Sequence, residues 1–271
     1  MKHLHVNGCD MAYTEVGSSR KPPLVCLHGM ISDSRIWAPV LGPLSRQYRV
    51  IAVSLRHFFP EHWDGSGNNF TIAQHVDDTI LFLEKLGLGQ VYLMGHSRGG
   101  HIALRVAQQR PELIRKLILA EPGGDLDPTL SPEAAQLPSS PTKADRKAAA
   151  QILAGDVEGG LTTYVDALAG VPGAWLSVAE STKQRVRDNA FSVVGMLTDQ
   201  RSPITRKDAE SLSMPTLFIC GANSPASMLK VRALSAVVPD SRVEVIANAA
   251  HVMFDQNPVD FCTSVLTFLA D

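Results

Sequence analysis

The sequence predicts an α/β fold: a mostly parallel sheet with helices on both faces and a helical cap inserted late in the chain. Three observations predict it. Short apolar runs of strand length recur at PLVCLHG (23–29), RVIAVSL (49–55), QVYLMG (90–95), LIRKLILA (113–120) and PTLFICG (215–221). Most are separated by stretches of helical period, and strand–helix alternation is the pattern of a parallel sheet covered on both sides. From about residue 125 to residue 210 the strands stop, leaving helical patterns and Pro/Ser-rich joints.

The elements follow in order. Residues 3–16 read as two short strands around Asn7-Gly8, a pair suited to a hairpin turn. The run 23–29 is apolar and ends on glycine, as a strand buried on both faces does. A helical turn or two over Ser34–Leu44 precedes the buried strand 49–55, and the polar, Gly-rich stretch 57–69 is a long loop. Over Thr71–Leu86, the side chains Ile72, Val76, Ile80 and Leu83 share one helical face and Thr71 can cap it. Strand 90–95 leads into a helix over Gly99–Gln109, and the run 113–124 carries a strand ending near Glu121. Later come strand 215–221, a helix over Ser227–Val238, strand 242–248 and a last helix over Pro258–Ala270. The chain therefore divides into residues 1–124 and 211–271, two parts of one α/β core, and residues 125–210, the helical cap.

Composition narrows the function. A chain of 271 residues buries roughly 70–75% of its unfolded surface and needs no disulfide or metal staple. Hydrophobic residues at 45% and charged residues at 19% describe a globular chain. A net charge of −2 with no run of five like charges speaks against a nucleic-acid partner. No apolar stretch reaches the about 20 residues of a membrane helix, and the N-terminus has no apolar core of signal-peptide length. No membrane partner is therefore expected, and the expected location is cytoplasmic. Cys9, Cys26, Cys220 and Cys262 are widely spaced, so they read as buried reduced thiols, and neither metal nor cofactor is expected.

The chemistry centres on Gly95-His96-Ser97-Arg98-Gly99, a G-x-S-x-G between an apolar strand and a helix. In that context the turn is sharp and holds Ser97 Oγ above the sheet edge, at a helix N-terminus that favours developing negative charge. Leu27-His28-Gly29-Met30 ends the first buried strand. Acyl transfer needs N–H donors for an oxyanion, and the amides of Met30 and Arg98 are the candidates, with His28 structural. A serine is a weak nucleophile until a histidine takes its proton. Among nine histidines, His251 lies between the last strand and the last helix, at the same sheet edge as Ser97. His3, His5, His75 and His101 read as surface or packing residues, and His96 as lining the pocket or packing beside it.

With LHGM at 27–30, GHSRGG at 95–100 and His251 in that order, the chain resembles the α/β-hydrolase superfamily over essentially its full length. The resemblance implies a Ser–acid–His triad without cofactor, a helical cap, and a small-molecule substrate cleaved with water as co-substrate. Ser97 sets the chain apart from the dehalogenase and epoxide hydrolase branches, which use aspartate there. In most of the superfamily the acid follows the strand matched by PTLFICG, as G-x-x-D. Here that stretch is Gly221-Ala222-Asn223-Ser224, with no carboxylate. Glu121, at the end of an earlier strand, becomes the candidate acid, a placement similar to that in a subgroup of haloalkane dehalogenases and in the lactonases that open zearalenone. Asp125 and Asp127 lie farther from the strand end.

The pocket is less legible. Gly29 and His96 flank the nucleophile. The loop 55–65 leaves the sheet at the same edge, and Arg56-His57-Phe58-Phe59-Pro60 stands where the family commonly has D-x-x-G-x-G, so His57 is expected to shape the pocket. The cap offers Tyr164, Trp175, Leu176, Phe191, Met196 and Leu197, with Trp175 the expected substrate contact. The Arg98 side chain either meets a substrate carboxylate or forms a structural ion pair. The leading reading is a serine hydrolase of a carboxylic ester or lactone, of small to medium apolar substrates. C–C bond hydrolysis of a diketone-like substrate competes, although Ser224 stands where such enzymes usually carry the acid. The other alternative is a non-catalytic small-molecule receptor on the same fold.

Overall fold

In the computed structural model, which describes residues 1–271, eight strands form one sheet in the order β1-β2-β4-β3-β5-β6-β7-β8. The strands are β1 Lys2–Val6, β2 Cys9–Val16, β3 Pro23–Leu27, β4 Arg49–Val53, β5 Val91–His96, β6 Ile114–Ala120, β7 Thr216–Gly221 and β8 Ser241–Ile246. Strand β2 runs antiparallel to β1 and β4, and every other pairing is parallel. Asn7 and Gly8 both take positive φ, 46° and 73°, which suits the tight turn between β1 and β2.

The helices outside the insertion are α1 Ala38–Ser45, α2 Ile72–Leu86 and α3 Arg98–Gln109. Within it are α4 Lys143–Leu153, α5 Val157–Ala169, α6 Glu180–Asp188, α7 Ser192–Gly195 and α8 Arg206–Glu210. After it come α9 Pro225–Ser235, α10 Met253–Gln256 and α11 Pro258–Ala270. Side chains alternate along each central strand. Leu24 and Cys26 face α1 and α11 through Val40, Leu44, Phe261 and Val265. Val25 and Leu27 face the opposite layer, where α2, α3 and α9 bring Phe82, Ile102, Val106 and Val231. A parallel sheet covered on both faces needs apolar side chains at every position, which is why the strand runs are continuous in sequence. Thr71 caps α2 by accepting from the Gln74 N–H at 3.0 Å.

The insertion contains no strand; its two ends meet in a single bridge, Leu126 to Ile204. It packs a small core of its own, including Ala148, Ile152, Leu161, Trp175 and Val193. Polar ties fasten it over the carboxyl edge of the sheet. Asn189 donates to Asp33 at 2.7 Å and accepts from the Phe59 N–H at 2.8 Å, while Arg35 pairs with Asp188 at 2.7 Å. The Ile31 N–H donates to Ser192 Oγ at 3.1 Å. All four cysteines are free and buried. No helix is long and apolar enough to cross a membrane.

Candidate active site

Ser97 sits between β5 and α3 with φ 51° and ψ −119°, a backbone region costly for a residue with a Cβ. Neighbouring bonds hold it there: its N–H donates to Ala120 at 3.1 Å, and its carbonyl accepts from Gly123 at 2.8 Å and His101 at 3.1 Å. The flanking glycines are required by close approach. A Cβ on Gly95 would lie 2.2 Å from the Gly99 carbonyl oxygen, and one on Gly99 would lie 2.3 Å from that of Leu27.

Glu121 follows β6 directly, at φ 41° and 2% exposed. Its N–H donates to Ile219 of β7 at 2.9 Å, which turns the side chain toward the end of that neighbouring strand. There Oε1 accepts from the Gly221 N–H at 2.9 Å and the Cys220 thiol at 3.5 Å, while Oε2 meets His251 Nδ1 at 2.7 Å. The carboxylate thus reaches the end of β7 from β6. Burial opposes its charge, but the His251 hydrogen bond and charge, with the Gly221 amide, prevail and hold it well below the usual carboxylate range. With Nδ1 taken by Glu121, His251 has Nε2 available for a second partner. His251 and Ser97 line the same cavity.

His96 is buried, donates from Nε2 to the His251 carbonyl at 2.8 Å, and packs its ring 4.6 Å from that of His251. It therefore fixes the loop that carries His251 and also lines the cavity. Gly29 brings the end of β3 against the elbow: a Cβ there would meet Ser97 Cβ at 3.0 Å and His96 Nδ1 at 3.1 Å. The amides of Met30 and Arg98 donate to no protein acceptor, so two N–H groups beside Ser97 are free for a ligand oxygen.

The cavity has two lobes that share Met30, Ser97, Tyr164, Leu168 and His251. One, of about 220 Å³, has the more polar lining of the two and reaches Arg201 and Lys230. The other, of about 180 Å³, is walled by hydrocarbon and includes Trp175. Tyr164 and Met196 of the insertion also line the site, whereas Leu176 points outward at 75% exposure. Sequence reasoning did not single out Ser32, Arg185, Arg201 or Lys230. They are single polar residues in helices or loops, and no local pattern marks which way they face.

One expectation about a side chain changes, and one pair of alternatives is decided. His57 does not line the cavity. It stacks 4.3 Å from Trp63, meets Glu61 at 2.8 Å through Nδ1 and Asn69 at 2.7 Å through Nε2. Its loop is a strut: Arg56 pairs with Asp78 at 2.7 Å, Phe58 packs on His28, and Phe59 lies under Arg35. The Arg98 guanidinium takes the structural alternative: it is bonded to Asp199 and His75 and lies over Phe70. Asp199 additionally caps α2 at the Ile72 N–H, 3.0 Å away. Removing one partner of a buried pair costs about 3–5 kcal/mol because the other charge stays unpaired. Asp199→Ala is therefore expected to lower the melting temperature by about 10 °C in a thermal melt. A change under about 2 °C would show that Arg98 finds other compensation.

Comparison with known proteins agrees with this architecture. Residues 22–258 match the family described as α/β hydrolase fold. A putative 2-succinyl-6-hydroxy-2,4-cyclohexadiene-1-carboxylate synthase of Bacillus subtilis is 25% identical over 97% of this chain and 96% of its own length. The sn-1-specific diacylglycerol lipase ABHD11 of Mus musculus is 25% identical over 94% of this chain and 83% of its own. Among solved structures, the esterase RhEst1 from Rhodococcus sp. ECU1013 superposes with a TM-score of 0.81 at 21% identity, covering 100% of this chain and 98% of the other.

Proposed function

The chain belongs to the α/β-hydrolase fold family, and from that premise we propose that it is a serine hydrolase of carboxylic esters or lactones. The observation that carries the reading is the 2.7 Å bond from His251 Nδ1 to the buried Glu121 carboxylate, in a cavity that His251 shares with Ser97. A carboxylate on Nδ1 holds the tautomer in which Nε2 can accept a proton. In the proposed reaction, His251 Nε2 takes the Ser97 Oγ proton as Oγ attacks the substrate carbonyl carbon. The Met30 and Arg98 amides hold the oxyanion. The carbon–oxygen bond to the leaving group then breaks, and the imidazolium protonates the departing alkoxide. Water, deprotonated by the same nitrogen, attacks the acyl-enzyme and releases the carboxylic acid and Ser97. The helical insertion acts as a cap that supplies Tyr164, Trp175 and Met196 to an apolar acyl or alcohol group.

A fluorophosphonate probe tests the reading. The wild type is expected to gain one adduct by intact mass, and Ser97→Ala none. Folded wild-type protein that gains no adduct would move the chain to the receptor reading. An adduct that persists in Ser97→Ala would place the nucleophile elsewhere.

A further inference from the structure

The apolar lobe contains a polar spot that the chemistry above does not use. Its walls are hydrocarbon from Met30, Ile36, Val165, Trp175 and Val178, yet Ser32 and Arg185 also line it. Ser32 is 3% exposed and its hydroxyl has no hydrogen-bond partner. Arg185 Nε is likewise buried and unpartnered. The nearby carboxylates do not satisfy it. Asp33 is already engaged by Arg35 through Nε and Nη2 and by Asn189. Asp255 lies on an exposed position. In the other lobe the cations are partnered: Arg201 donates to the Ser140 carbonyl at 2.8 Å and Lys230 to that of Gly124 at 2.9 Å. Buried polar atoms in folded proteins are nearly always paired, and an unpartnered guanidinium nitrogen and an unpartnered hydroxyl lining one cavity point to a ligand group as their partner.

We propose that Arg185 and Ser32 form a carboxylate subsite, so that the substrate is an ester or lactone bearing a free carboxylate on an otherwise apolar body. The inference rests on the serine-hydrolase reading of the same cavity and adds a charge requirement to it. A guanidinium presents a planar fork that matches both oxygens of a carboxylate, and the serine hydroxyl adds a third donor. Thr182 precedes Arg185 by three residues on α6, hence on the same helical face, and lines the same wall. Surrounding hydrocarbon strengthens the charge pairing by excluding water.

The test has a binding arm and a turnover arm. Ser97→Ala protein is titrated calorimetrically with monomethyl adipate and dimethyl adipate. The monoester is expected to bind at least tenfold more tightly. Adding Arg185→Gln should erase that preference, whereas Arg185→Lys should retain part of it and Ser32→Ala most of it. In turnover, the ratio of kcat/KM for the mono-4-nitrophenyl ester of adipic acid to that for 4-nitrophenyl hexanoate is expected to fall at least tenfold in Arg185→Gln. A structural arginine would lower both rates together and leave the ratio unchanged. Equal binding of the two adipates, or a preference that survives Arg185→Gln, would overturn the subsite. If the Gln variant fails to fold, Arg185→Met carries the same comparison with the same expected loss of preference. Monoester binding without hydrolysis of either 4-nitrophenyl ester would keep the subsite and remove the hydrolase reading. Hydrolysis of both esters without a charge preference would do the reverse.

Discussion

Glu121→Gln is expected to lower kcat on an activated ester by about 10³–10⁴-fold, the scale seen when a triad carboxylate becomes an amide. The expectation follows from the two oxygens of Glu121. Oε1 accepts from the Gly221 N–H at 2.9 Å, and a glutamine carbonyl can keep that bond. The other position faces His251 Nδ1 at 2.7 Å. There an amide NH2 donates instead of accepting, which forces the ring into the tautomer whose Nε2 carries a proton and cannot take one from Ser97. The imidazolium formed during acyl transfer also loses its buried counter-charge. Asn223→Ala tests the loop after β7, next to Ser224, the position where most of the family is implied to carry its acid. Asn223 is exposed, and the change should alter kcat by less than about threefold, since a surface substitution usually shifts energies by under about 0.5 kcal/mol. Circular dichroism would verify that both variants are folded. A larger loss in Asn223→Ala than in Glu121→Gln would refute the assignment of the acid to β6.

Acid pH is expected to unfold the protein over a narrow range below neutrality. Four histidines are buried: His28, His75, His96 and His101. Their bonds suit the neutral ring. His28 Nε2 accepts from the Leu55 N–H at 3.0 Å, His75 Nδ1 accepts from the Arg98 guanidinium, and His101 Nε2 accepts from Arg105. His96 Nδ1 is buried without a donor or acceptor. Protonation would place a proton on a nitrogen already facing one, or in a dry interior. Burial lowers all four, His28 to about 4, with the Arg98 charge acting further on His75 and the His251 charge on His96. The sign follows from linkage. Groups whose folded value is depressed contribute stability that is complete above the unfolded value of about 6.5 and is lost as pH falls toward the folded value. Each neutral histidine costs about 1.4 kcal/mol per pH unit in that window. Four together approach about 5 kcal/mol per unit, a large part of a typical total of about 5–15 kcal/mol. Glu121 adds a further loss below its unfolded value of about 4.3, because its folded value is depressed. Urea titrations at pH 7, 6 and 5 would measure the slope; unchanged stability between pH 7 and 5 would contradict it.

The elements carrying the site were readable because each is marked by a local pattern. The continuous apolar runs became central strands, since a two-face-buried strand has no polar position to offer. Thr71 and the face of Ile72, Val76 and Leu83 marked α2 within a residue of its observed start. The Gly–x–Ser–x–Gly turn identified Ser97, because only glycine fits beside that backbone at Gly95 and Gly99. Glu121 was a candidate only through the family resemblance, which implies an acid at a strand end and finds none in Gly221–Ser224.

Direction and pairing were not readable. His57 and Arg98 were candidates for ligand contact, yet each is consumed by partners distant in sequence or by its own loop: Asp199 for Arg98, Trp63 and Asn69 for His57. Ser32 and Arg185 lie 153 residues apart and share a cavity wall only because Asp33 and Asn189 tie the insertion to the end of β3. The sequence by itself determined the layered sheet, the tight turn that carries Ser97 and the order of the candidate groups, because strand burial, capping and glycine sterics act between near neighbours. Tertiary structure alone decided which carboxylate reaches His251 and which cations remain unpaired. Those outcomes depend on long-range contacts, where a single hydrogen bond from another strand or helix decides whether a side chain is structural or free to meet a ligand.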